Sequence, residues 1–134
     1  MQNETEAHDP LSAEVIGAAI EVHRTLGPGL MESTYKSCLA QELIHRNLAI
    51  QVEAPLPLTY RGVLLEVAYR VDMIVEHDLL LELKVVNKLE PVHKAQLLTY
   101  LRLSGKQRGL LINFHVPFLR EGIQRLVNNY KPLA

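Results

Sequence analysis

The chain has 134 residues, 48% of them apolar, a formal net charge of −1 and a single cysteine, Cys38. That size and composition suit one domain with its own core; they exclude an intrachain disulfide and, with no CxxC or Cys/His cluster, give no support to zinc. No run approaches the ~18 apolar residues of a membrane span, and the polar, acidic Met1–Asp9 stretch has no signal-like apolar core, so a cytoplasmic protein without a membrane partner is expected. Residues 1–9 read as a flexible N-terminus and residues 10–134 as a single domain.

Asp9 followed by Pro10 reads as an N-cap and first helical position. Val15, Ile16, Ala19, Ile20, His23 and Leu26 then keep helical spacing until Gly27-Pro28-Gly29 stops the helix. A second helix is expected from about Met31, with Tyr35, Leu39 and Leu43 as its inner stripe; Cys38 on the same helix reads as a small core residue. Glu32 lies three residues before Tyr35 and so shares that inward side, although a first-turn carboxylate is also what the helix dipole favours. Ile50 to Tyr60 reads as an extended edge strand, because Pro55 and Pro57 lack the N–H groups a central strand needs. Arg61-Gly62 turns the chain into a second strand, with Arg70, Asp72 and Ile74 on one face and Tyr69, Val71 and Met73 on the other.

Leu79 to Val86 reads as a third strand, apolar on both faces except for Glu82 and Lys84. Between strands two and three lie Glu76, His77 and Asp78. If Val75 and Leu79 pair across this three-residue loop, Asp72 falls opposite Glu82, and Lys84 shares their face. Opposed like charges destabilise a sheet unless something positive sits between them, and a divalent cation fills that role. A plain salt bridge to Lys84 is the simpler alternative. Pro91 opens a third helix ending near Ser104-Gly105, with Ala95, Leu98 and Leu101 or Arg102 on one side and His93, Gln96 and Tyr100 forming a polar stripe on another. Gly109 to Phe114 reads as a fourth buried strand, parallel to the third, and Leu119, Ile123, Leu126 and Tyr130 as a final helix. The elements assemble into an α/β fold, a four-stranded mixed sheet with helices on both faces.

Charge is unevenly spread. Residues 1–32 carry six acids against Arg24 alone, whereas Lys84, Lys88, Lys94, Arg102, Lys106 and Arg108 face only Glu90 between residues 84 and 108. A basic surface beside Glu82 suits a polyanion, and a solvated helix face explains it equally well.

A helix-borne acid, an aspartate on strand two, Glu-x-Lys on strand three and a glutamine helix before strand four together resemble the PD-(D/E)XK nuclease superfamily, with its restriction-endonuclease-like core. Within it, Gly29-Leu30-Met31-Glu32-Ser33-Thr34-Tyr35 is similar to the signature of the GxxExxY protein family. Val22 to Gly29, Glu82-Leu83-Lys84, Val92 to Tyr100 and Gly109 to Phe114 also look like that family, so the resemblance spans about residues 11 to 128. Val71 stands where the superfamily's motif has proline, and Ala68 where relatives carry glycine. Gln96 and Tyr100 are similar to the Q-x-x-x-Y element of RecB-related nucleases.

The resemblance implies phosphodiester hydrolysis, with DNA expected ahead of RNA. On chemical grounds Mg²⁺, or Mn²⁺ in its place, would be held by Asp72, Glu82 and the Leu83 carbonyl, with Glu32 on the same ion, on a metal-bound water or on a second ion. Lys84 would orient the attacking water or stabilise the pentacovalent phosphate. Gln96, Tyr100 and His93 would contact the nucleic acid or hold Lys84, with Lys88, Lys94 and Tyr35 completing the substrate-binding set. A core this small would need an accessible substrate, a homodimer or a partner protein. The rival readings are a catalytically silent nucleic-acid-binding or protein-interaction module on the same fold, and hydrolysis of another phosphate ester.

Overall fold

Asp9 caps the first helix. The computed structural model describes residues 9–128; the rest of the expected N-terminal tail, and Tyr130 of the expected last helix, lie outside them. The Asp9 carboxylate accepts from the Ser12 backbone N–H (3.1 Å), one of the donors a helix leaves open, and from the Ser12 hydroxyl (2.6 Å) at the start of α1 (Pro10–Leu26). It is also ion-paired with Arg108 and, at 3.6 Å, with Arg125. Gly27, at φ 74°, ends α1. Val15, Ile16, Ala18, Ala19, Val22 and His23 are buried along it, whereas Leu26, expected on that stripe, is partly exposed.

After α2 (Glu32–His45), strands β1 (Ile50–Tyr60) and β2 (Val63–Val75) form a long hairpin whose turn residues Arg61 and Gly62 both have positive φ, 50° and 80°. Two left-handed turn residues match the twist of the flanking strands. β3 (Leu79–Lys84), helix α3 (Pro91–Ser104), β4 (Arg108–Asn113), a 3₁₀ turn (Leu119–Gly122) and β5 (Ile123–Val127) follow. The sheet has the order β1-β2-β3-β4-β5, with β3 and β4 parallel and every other neighbouring pair antiparallel. The proline-bearing strand is an edge, as its missing donors require.

One core lies between the sheet and α1 with α2, built on Leu79, Leu81, Leu83, Leu110 and Ile112; a second lies under α3, built on Leu80, Leu111, Leu97 and Leu101. Helices therefore cover both faces, as expected. The expected final helix is a strand instead, and the sheet has five strands rather than four. Ile123 packs into the first core and Leu126 into the second. Residues three apart reach opposite sides of a sheet in a strand but share a side in a helix, so only the strand serves both cores and pairs the open edge of β4.

The buried side of α3 also differs from expectation. It consists of Leu97, Tyr100 and Leu101, while Ala95 and Arg102 are exposed. A Cβ on Gly109 of β4 would come within 3.1 Å of the Leu97 side chain, so that bare backbone is the seat that sets the helix's rotation.

Candidate active site

β2 and β3 pair as the three-residue loop requires, Val75 with Leu79, Ile74 with Leu80 and Met73 with Leu81, and there the ladder stops. At the next position side chains replace backbone. The Asp72 N–H donates to Glu82 Oε1 at 2.9 Å, and the Leu83 N–H donates to Asp72 Oδ2 at 2.8 Å. The two acids thus face each other across a fork between the strands, both buried.

The fork arises from a break in strand alternation. Val71 joins the core under α3 and Met73 the core under α1 and α2, although residues two apart in a regular strand share a face. On β1, Glu53 adopts φ 54°, and the Glu53–Asp72 position is missing from the run of β1–β2 pairs between Ile50–Val75 and Leu56–Tyr69. A left-handed non-glycine residue costs about 1–3 kcal/mol and persists only where its surroundings enforce it. The expected shared face of Tyr69, Val71 and Met73 is corrected accordingly.

Two lysines close the fork. Lys36 Nζ on α2 lies 3.5 Å from Asp72 Oδ1 and is ion-paired with Glu53; Lys84 Nζ lies 3.7 Å from Glu82 Oε2. Each carboxylate therefore has one oxygen bound to a backbone N–H and the other facing an ammonium group. Lys84 also donates to Gln96 Oε1 at 3.1 Å, and Gln96 Nε2 donates to the Tyr100 hydroxyl at 2.9 Å. Because an ammonium group only donates, the amide must turn its oxygen to Lys84. Gln96 and Tyr100 so form a brace that fixes where the Lys84 charge sits.

Charge remains unbalanced at the fork. Burial, and then the negative charge of Asp72, push the Glu82 carboxyl up to about 7, against the lowering influence of the Asp72 N–H and Lys84. Glu32 is raised as well, first by partial burial and then by Asp72, which puts it within electrostatic reach of the pair from the α2 side. The Lys36 ammonium is raised chiefly by its bond to Glu53, and burial followed by the charge of Glu82 raises the Tyr100 hydroxyl.

The family model described as the PD-(D/E)XK nuclease superfamily matches residues 9–126, which covers the fork and every element that builds it. The chain belongs to the PD-(D/E)XK nuclease superfamily. No curated protein and no solved structure matches it. PD-(D/E)XK nucleases generally use divalent metal ions and bind nucleic acid. No helix among the described residues is long and apolar enough to cross a membrane.

For this PD-(D/E)XK chain the fork's donors are all oxygens, which fits a hard divalent cation rather than a soft one. In an extended strand the N–H and C=O of one residue point the same way, so Leu83, whose N–H reaches Asp72, turns its carbonyl toward the fork as well. Among the described residues no three His, Cys, Asp or Glu side chains form a metal-holding group; Glu32 reaches Asp72 and Glu82 through its charge. Two carboxylates and a carbonyl, with water completing the shell, is the coordination Mg²⁺ commonly accepts.

Several expected site residues do other work. Tyr35 is fully buried, stacked on Phe114 with ring centroids 4.5 Å apart; its hydroxyl donates to the Gly27 carbonyl at 2.5 Å and accepts from the Leu30 N–H at 3.2 Å. It is corrected from a substrate contact to a clamp on the loop between α1 and α2. His93 Nδ1 accepts from the Glu90 N–H at 2.9 Å and so caps α3. Arg108, counted in the basic stretch, is neutralised by Asp9 and Asp78. Lys88 and Lys94 are exposed, and neither forms an ion pair among the described residues.

Sequence reasoning missed Lys36 and Glu53. The signal for Lys36 was available: it lies four residues after Glu32 and so shares its helix face. Glu53 had no comparable signal, because its role depends on a backbone break opposite Asp72.

Proposed function

We propose that this protein hydrolyses phosphodiester bonds in nucleic acid, DNA ahead of RNA, in the cytoplasm, with Mg²⁺ or Mn²⁺ held by Asp72, Glu82 and the Leu83 carbonyl. The observation that carries the reading is the fork itself, two buried carboxylates facing each other beside the Leu83 backbone; burial and Asp72 raise the Glu82 carboxyl, and buried negative charge of this kind is what a divalent cation relieves. A bound divalent ion would neutralise phosphate charge and acidify a coordinated water. Lys84 places a positive charge where the phosphate gains negative charge, and the Gln96–Tyr100 brace holds it there, so little reorganisation is needed during the reaction. Glu32, within electrostatic reach of Asp72 from the α2 side, would hold the same ion, a metal-bound water or a second ion. Exposed Lys88 and Lys94 draw in the polyanion.

The test is incubation of the purified protein with single- and double-stranded DNA and RNA in Mg²⁺ or Mn²⁺, beside Glu82→Ala and Lys84→Ala. Metal-dependent cleavage by the wild type alone is expected. Intact substrates in every condition, together with no calorimetric metal binding that Asp72→Ala abolishes, would sink the proposal; nucleic acid bound equally by all three proteins without cleavage would favour the silent module.

A further inference from the structure

Next to the fork, on its α3 side, a cavity of about 480 Å³ is lined by Tyr69, Val92, His93, Gln96, Thr99 and Tyr100. Gln96 belongs to both places, since its amide forms part of the cavity wall and accepts from Lys84. One side chain therefore separates the cavity from the charge assigned to the phosphate. Tyr69 is 45% exposed, a large aromatic surface left in solvent, and its ring lies 5.8 Å from that of Tyr100 at a tilt of 46°. The Glu90 N–H occupies His93 Nδ1, so the neutral imidazole carries its hydrogen on Nε2 and offers a fixed donor. The lining thus combines an open π-face, a ring N–H, the Thr99 hydroxyl and an apolar patch at Val92.

That is the chemistry of a nucleobase site. Every base has a π-face to stack and polar edges to hydrogen-bond, and stacking on an aromatic side chain strengthens binding on the order of 10-fold per base whatever the sequence. Bases in a duplex are already stacked and paired, and must be extruded before they can enter such a cavity. We propose that the substrate is single-stranded nucleic acid, one of whose bases stacks on Tyr69 in this cavity while the adjoining phosphate lies at Lys84. The inference rests on the nuclease reading for its placement of the phosphate, but base binding can be measured without cleavage.

The experiment is equilibrium binding in chelator of a fluorescent oligonucleotide of about 12 nucleotides, within the usual footprint of single-strand sites. It is presented as a single strand, as the matching duplex, and as a single strand with central abasic positions, to the wild type, Tyr69→Phe and Tyr69→Ala. The single strand should bind more tightly than the duplex, equally to wild type and Tyr69→Phe, and on the order of 10-fold more weakly to Tyr69→Ala. Abasic positions should weaken wild-type binding to a similar extent and add little to the loss in Tyr69→Ala. Equal or tighter binding of the duplex, or wild-type binding indifferent to abasic positions, would overturn the proposal, and the second readout needs no variant to fold. Base-dependent binding with no cleavage in Mg²⁺ or Mn²⁺ supports this site while removing the nuclease reading. Cleavage that proceeds without regard to Tyr69 or strandedness overturns this site alone.

Discussion

Replacing Glu82 with glutamine should flatten the pH dependence of stability. The Glu82 carboxyl titrates at about 7 in the folded chain, against an ordinary value of 4.5, because it is buried beside Asp72. A carboxyl raised in the folded state makes that state bind more protons than the unfolded one between the two values. Its effect is absent below about 4.5, grows as pH rises and is complete above about 7, where the folded state must carry an unwelcome charge. At ~1.36 kcal/mol per pH unit, the interval from 4.5 to about 7 corresponds to roughly 3 kcal/mol of lost stability, on the order of 10 °C in Tm for a chain of this size. Urea unfolding in chelator at about pH 5 and about pH 8 measures it, with Glu82→Gln as reference because the amide oxygen still accepts the Asp72 N–H. The wild type should lose about 2.5 kcal/mol more than the variant over that range, and Mg²⁺ should restore most of the loss at the higher pH by taking the proton's place. Parallel pH profiles for the two proteins would refute the electrostatic account of the fork.

Tyr35→Phe keeps the stack on Phe114 but leaves the Gly27 carbonyl and Leu30 N–H without their buried partner, so it should cost about 1–2 kcal/mol in urea unfolding and leave nucleic-acid affinity unchanged. Lys36→Met removes the ammonium group 3.5 Å from Asp72, so the metal-free protein should lose about 1–2 kcal/mol while calorimetry shows Mg²⁺ binding several-fold more tightly, the ion having one competitor fewer. Weaker metal binding in that variant would identify Lys36 as a support of the site rather than a competitor. Gly122→Ala puts a Cβ 2.2 Å from the Asn113 carbonyl oxygen, and its unfolding midpoint should fall by an amount corresponding to about 3 kcal/mol.

The legible parts of the fold are those set by local chemistry. The Arg61-Gly62 turn, the edge position of the Pro55 and Pro57 strand, the Asp9 cap and the odd loop that brings Asp72 to Glu82 each follow from a few adjacent residues. The last strand was not legible, because the spacing of Leu119, Ile123 and Leu126 satisfies a helix and only the presence of two cores makes a strand the better answer. Within the site, the acids, Lys84 and the Gln96–Tyr100 pair could be read from spacing, but not the alternation break at Asp72, which coincides with the left-handed Glu53 on a neighbouring strand. Motif reasoning also merged two jobs. In the Gly29 to Tyr35 segment the tyrosine clamps a loop and the glutamate contributes charge to the fork, so a residue's place in a signature did not reveal which of the two it serves.

Whether the fork between β2 and β3 carries a divalent cation separates hydrolysis from silence, and anomalous diffraction from crystals soaked in Mn²⁺ reads it directly. One peak is expected within metal–oxygen bonding distance, about 2.1–2.3 Å, of the Asp72 and Glu82 carboxylates and the Leu83 carbonyl, with Lys36 displaced from Asp72. Crystals without that peak, in which Lys36 and Lys84 remain the cations facing the two carboxylates, would contradict the assignment.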